Sequence, residues 1–97
     1  MGVKALLLDE KDTVATCMDG AGKGDVVTCI GTASRQVLCV QAIPPCHKIA
    51  LKDMQENEDV YKYGQVIGRT TQVIREGALV WHENLVGFER DYETELL

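Results

Sequence analysis

The sequence predicts an all-β domain, and three observations carry that prediction. The apolar segments are short and rich in β-branched residues, which suits strands and leaves little room for amphipathic helices. Glycines at 20, 22, 24, 31, 64, 68, 77 and 87 interrupt these segments as tight reversals require. A local motif also recurs: Met54-Gln-Glu-Asn57-Glu-Asp-Val60 and Ile74-Arg-Glu-Gly77-Ala-Leu-Val80, with a looser copy in Ala21-Gly-Lys-Gly24-Asp-Val-Val27. Each copy reads as a corner. An apolar residue anchors the chain, the residue three positions on tolerates a left-handed backbone, and a valine restarts a strand. Three corners in so short a chain predict sharply bent strands folded across one small core.

In chain order, the expected strands are Val3 to Leu8, Val26 to Ile30, Val37 to Ile43, Val60 to Ile67 and Ala78 to Trp81. The helical candidates are a single turn from Leu51 to Glu56 and the acidic end from Glu89 onward. With 97 residues the chain is one domain's worth. We divide it into a domain over 1–86 and an acidic C-terminal tail over 87–97, in which Phe88, Tyr92 and the final Leu-Leu are candidate docking residues for a larger partner.

Fifteen acidic residues against ten basic ones give a net charge of −5, which repels phosphate backbones and anionic lipid. Nucleic acid and membrane are therefore not expected partners. The N-terminus lacks a signal-peptide apolar region, and the expected location is cytoplasmic. The four cysteines, Cys17, Cys29, Cys39 and Cys46, form no C-x-x-C pair and read as free thiols. Cys29 and Cys39 sit in apolar runs as small buried residues. Cys46 stands beside His47 in a polar loop and is the one thiol with a conceivable reactive role, although adjacent residues seldom point together.

The segments His47-Lys-Ile-Ala-Leu51, Lys62-Tyr-Gly-Gln-Val-Ile-Gly68, Ile74-x-x-Gly77-x-x-Val80 and Asn84-Leu85, with the opening Lys4-Ala-Leu-Leu-Leu8 and Asp12-x-Val14-Ala15, span nearly the whole chain. Together they resemble the SAF domain of the altronate/galactarate dehydratase family. That resemblance implies a β-clip fold, a compact barrel-like domain of short, bent strands. It implies hydro-lyase chemistry on sugar acids and related small hydroxy acids, with sulfolactate sulfo-lyase as a relative that releases sulfite. It further implies a divalent metal, often iron, in the complete enzyme, and a small-subunit role beside a large catalytic subunit.

Elimination from a hydroxy acid needs a base for the proton α to the carboxylate, a cation or metal to steady the developing enolate, and help for the leaving group. On that resemblance, His47 and Lys62 are the expected catalytic residues, and Lys48 and Tyr63 the expected substrate-binding residues. Strand alternation predicts that Lys62 faces away from both neighbouring tyrosines. Many relatives read Val-His-Val-His-Asn where this chain has Trp81 and Glu83 in place of the histidines. Glu83 is then the candidate metal ligand or base, with His82 expected on the opposite strand face. The alternative reading is a stand-alone SAF binding module for a small acidic or sugar ligand, as in SAF-type domains of sialic acid synthases, type III antifreeze proteins and flagellar chaperones. Self-association into a homo-oligomer is a further expectation for a small β domain.

Overall fold

The computed structural model describes residues 3–31 and 34–87, and these hold nine strands and no helix. The strands are β1 (Val3–Leu7), β2 (Val14–Cys17), β3 (Val26–Gly31), β4 (Arg35–Leu38), β5 (His47–Ala50), β6 (Asp59–Lys62), β7 (Gln65–Thr70), β8 (Leu79–Val80) and β9 (Leu85–Gly87). Six of them form one curled sheet in the order β4-β3-β1-β2-β5-β8, and β6-β7-β9 form a second. All pairings are antiparallel except β1 with β3. The all-β, SAF-like expectation stands.

The sequence pattern explains why two layers form. Ala5, Leu7, Ala15, Cys17, Val27, Cys29, Val37, Ile49 and Leu79 point into the hollow of the curled sheet and make the main core. On the other face Val14, Ala50 and Val80 meet Met54, Val60 and Ile74 in a second core beneath the small sheet. Consecutive apolar pairs such as Val14-Ala15, Ile49-Ala50 and Leu79-Val80 are therefore strands buried on both faces, which is why they do not alternate. The half of the outer face built on β1, β3 and β4 carries no second layer among the described residues. There Val26, Ile30 and Leu38 are 47%, 40% and 56% exposed.

All three predicted corners form, with φ of 94° at Gly24, 63° at Asn57 and 86° at Gly77. A fourth went unrecognised: Ile43-Pro-Pro-Cys46-His-Lys-Ile49 has the same spacing, and Cys46 has φ of 65°. The corners work in two mutually bonded pairs. Ala21 and Ile43 exchange N–H···O bonds of 2.9 and 2.8 Å, and Met54 and Ile74 exchange bonds of 2.7 and 2.9 Å. Cysteine at Cys46 takes a left-handed conformation that L-residues with a Cβ adopt reluctantly, so that corner lacks the glycine or asparagine that would have advertised it.

Three expected elements are corrected. The turn from Leu51 to Glu56 is not helical, because Met54 is tied across to Ile74 and the Glu58 carboxylate accepts from Gln55 N–H at 3.0 Å and from the Lys52 ammonium at 2.9 Å. The run Val60 to Ile67 is two strands joined by a two-residue turn, with Tyr63 and Gly64 at φ of 57° and 72°. The run Val37 to Ile43 leaves strand geometry after Leu38, where the Cys39 N–H turns to the Asp25 carbonyl and the Val40 N–H to the Gly77 carbonyl. The acidic tail beyond Gly87, with its expected helix and docking residues, lies outside the described residues.

Cys17, Cys29 and Cys39 are buried and Cys46 is exposed. Burial, reinforced by Cys39 and Cys29, pushes the Cys17 thiol up to about 11. A thiol-reactive dye is therefore expected to modify Cys46 rapidly in the native chain and the other three only after denaturation. Mass spectrometry of the labelled chain checks this, and fast labelling of Cys17 or Cys29 contradicts it.

Candidate functional site

The site is built where β5 lies between β2 and β8. Lys48 pairs with Thr16 on one side and Val80 on the other, and Thr16 pairs in turn with Leu6. Leu6 is itself opposite Ile30. One cross-strand row therefore runs Ile30, Leu6, Thr16, Lys48, Val80, from the uncovered outer face into the second core. Lys48 is half-buried at the point where the cover begins. Burial lowers the pKa of its ammonium, and the like charge of Lys62 lowers it further. Lys62, at the end of β6 in the small sheet, is thus brought within electrostatic reach of Lys48 although the two are well separated in sequence.

The hairpin that carries Lys62 is held from outside. A two-residue turn with positive φ at both positions usually employs Asn-Gly, and Tyr63 there is a strained choice. The buried carboxylate of Asp12 offsets that strain by accepting from Tyr63 N–H at 3.0 Å and from Gly64 N–H at 2.8 Å. Thr13 adds a backbone bond from its N–H to the Tyr61 carbonyl, while its hydroxyl accepts from Tyr61 N–H. The reward is the position of the Tyr63 ring, whose centroid lies 4.6 Å from the Lys62 Nζ, a cation–π distance. Lys62 and Tyr63 therefore sit together, and the expected opposite orientation fails because the turn breaks strand alternation. Replacing Asp12 with alanine should cost about 2 kcal/mol, since two partly buried N–H groups lose a charged acceptor. Thermal melting measures the loss, and an unchanged melting point would contradict the capping role.

His47 lies elsewhere. It is the residue before Lys48 in β5, opposite the core residue Cys17, so its side chain leaves the strand on the face opposite Lys48. Its Nδ1–H donates to the Pro45 carbonyl at 2.9 Å, which fixes the direction of the ring and leaves Nε2 as the nitrogen turned away from that contact. The site residues thus fall into two groups: Lys48, Lys62 and Tyr63 together, and His47 across the strand.

Glu83 forms a third location. Residues 81–84 are a turn, not strand, so His82 and Glu83 are neighbours with 3.9 Å between Nε2 and Oε2. Asn84 ties this turn down, accepting from Trp81 N–H at 2.8 Å and donating to the Leu79 carbonyl at 2.7 Å. That explains the Asn in the motif as a capping residue. Glu83 lines an open cleft of about 390 Å³ with Arg75 and Trp81. A larger cleft of about 550 Å³ lies at the Ala21 corner. The two lysines, both half-buried, line neither. Among the described residues no group of three or more His, Cys, Asp and Glu side chains is arranged to hold a metal ion. Glu83 and His82 offer two donors, which do not by themselves fit a divalent cation.

The model of the altronate/galactarate dehydratase SAF domain matches residues 3–87. This chain belongs to that family. It is also 34% identical over 91 residues to the (2R)-sulfolactate sulfo-lyase subunit alpha of Chromohalobacter salexigens, a match covering 88% of this chain and 95% of that subunit. The HKIAL and KYG motifs of this SAF domain now have physical meanings. Ile49, Ala50 and Leu51 are buried core, His47 and Lys48 are the half-buried polar end, and Lys62-Tyr63-Gly64 is a cation on a strained two-residue turn. Asp12 stands in the Asp12-x-Val14-Ala15 motif, but the motif alone assigned it no role; its hold on the Tyr63-Gly64 turn is visible only in the fold. No helix of the described residues is long and apolar enough to cross a membrane.

Proposed function

We propose that this SAF domain is the small subunit of a two-component hydroxy-acid lyase, and that Lys48 and Lys62 hold the anionic end of the substrate. The observation that carries the reading is that two half-buried lysines from different sheets lie within electrostatic reach of one another despite their mutual repulsion. A fold tolerates such a pair at a cost in stability, and an anionic ligand turns that cost into binding energy. The name of the relative, a lyase subunit, supports the same class.

In the reaction a base removes the proton α to a carboxylate, the C–H electrons form the new double bond, and the leaving group departs with the electrons of its own bond. Lys48 and Lys62 anchor negative charge and stabilise it as it develops. The lysines are half-buried and line neither cleft, and a second chain closing over them would exclude water from the bound acid. The uncovered apolar row that leads into Thr16 and Lys48 is the face we assign to the large subunit. His47 reaches the same substrate only if the partner routes it around the start of β5, so the reading rests on the lysines and leaves the Nε2 of His47 for a group that the partner brings.

The test is reconstitution. Mixed with its large partner, the chain should produce a 2-keto acid from a small hydroxy acid, and each protein alone should be inactive. Turnover by the isolated chain would overturn the shared site. Saturable acid binding with no partner and no turnover would make the chain a binding module.

A further inference from the structure

The cleft of about 390 Å³ opens between the stretch 72–75 and the turn 81–84, and its volume lies in the range of small-ligand sites, roughly 300–1,000 Å³. Its walls are fastened within the chain itself. Thr71 N–H donates to the Asn84 carbonyl at 2.9 Å, which joins the two walls, and Ile74 exchanges backbone bonds with Met54. Asn84 caps the turn through Trp81 N–H. Gln41, which also lines the cleft, accepts from Leu79 N–H at 3.1 Å through Oε1. That bond leaves its amide NH2 as a donor.

The lining carries three kinds of chemistry. Val73, Ile74 and Trp81 are apolar, and Val73 is 52% exposed. Arg75 brings a cation and Glu83 an anion to the same cleft. Among the described residues Arg35 pairs with Glu76 and Arg69 with Asp59, whereas Arg75 has no ion pair and Glu83 meets only His82. An arginine and a carboxylate that share a cleft without touching leave room for a ligand that bridges them.

We infer that this cleft binds the zwitterion of an apolar α-amino acid, with its carboxylate on Arg75, its ammonium on Glu83 and its side chain on Val73 and Trp81. Arg75 suits a carboxylate because its planar fork donates two parallel N–H bonds. The charges of Arg75 and Glu83 sum to zero, so a net-neutral ligand is matched, whereas a dianionic acid brings its second charge against Glu83. An apolar acid or an apolar amine satisfies one partner and strands the other. Neither Lys48 nor Lys62 lines this cleft, so the inference stands apart from the reaction proposed above.

Trp81 is the chain's one tryptophan, and its fluorescence reports directly on the cleft. Valine, leucine and methionine titrated into the full chain up to about 10 mM should give a saturable change with at least one of them. The analogues lacking the ammonium or the carboxylate, for leucine isocaproate and isopentylamine, should bind at least about tenfold more weakly. Arg75→Gln and Glu83→Gln should each weaken binding about tenfold or more. Both side chains are exposed, so both variants should melt within about three degrees of the parent. If none of the three amino acids moves the fluorescence, or if Arg75→Gln binds as well as the parent, the inference is overturned. If isocaproate binds as tightly as leucine, Glu83 holds no ammonium and the zwitterion assignment falls.

Discussion

Lys48→Met should weaken anion binding by about 10- to 100-fold and at the same time raise the melting temperature by a few degrees. Both effects follow from one placement. Lys48 is half-buried beside Val80 and Thr16, and Lys62 repels it, so burial first and like charge second hold its pKa below 10.5. In the window between that lowered value and 10.5 the unfolded chain carries a proton on Lys48 that the folded chain does not. Stability therefore rises with pH across the window, and the penalty is fully present below it. The stabilisation conferred by Lys48→Met should accordingly be largest at neutral pH and shrink as the pH climbs. Anion binding by the wild type fades over the same window as Lys48 loses its proton, while the stability of the wild type rises. Melting curves and calorimetric titrations at neutral and alkaline pH measure both. A variant that melts lower at neutral pH, or binds the acid as well as the parent, would contradict the assignment.

Gly77→Ala should be the most damaging small substitution at a corner. Gly77 has φ of 86°, and a Cβ there would run into the Leu38 carbonyl oxygen and lie 3.4 Å from Val40 N. The obstructing atoms are backbone held by the Val40 N–H to Gly77 carbonyl bond, so they cannot step aside cheaply. A left-handed alanine costs about 1–2 kcal/mol by itself, and the collision should bring the total to roughly 3 kcal/mol or more. For a domain this size that lowers the melting temperature on the order of 10–20 °C. Gly24→Ala is the control. Its φ is 94°, but nothing lies within 4 Å of the added carbon, so only the backbone strain is paid. Equal losses at the two positions would mean that the collision at Gly77 is relieved elsewhere.

The fold was legible because its corners are local. The apolar anchor, the left-handed residue and the restarting valine sit within one short stretch, and three of four copies carry glycine or asparagine at the bend. Cys46 hid the fourth, as Pro44 and Pro45 drew the eye to the histidine that follows. The Tyr63-Gly64 reversal hid for a similar reason: tyrosine does not advertise a positive φ, and the carboxylate that tolerates it lies far back in the chain at Asp12. For the site, the motifs identified Lys48 and Lys62. They gave no sign that His47 lies on the other face of β5 or that Thr16 completes the row, because pairing between distant strands decides both. Glu83 was read as strand and proved to be turn, since Asn84 folds the chain back before a strand can extend.

The Asp12 carboxylate bound to the Tyr63-Gly64 turn has a kinetic consequence. It closes a loop of about fifty residues, and the neighbouring Thr16, Lys48 and Lys62 come from three segments of the same loop. Closing so long a loop costs entropy before any contact repays it, so these groups should gather late in folding, after the β6–β7 hairpin and the β3–β4 pair have formed locally. An anion held by Lys48 and Lys62 together would bind only the finished chain. It would act mainly by slowing unfolding and would do little to hasten the search for the fold.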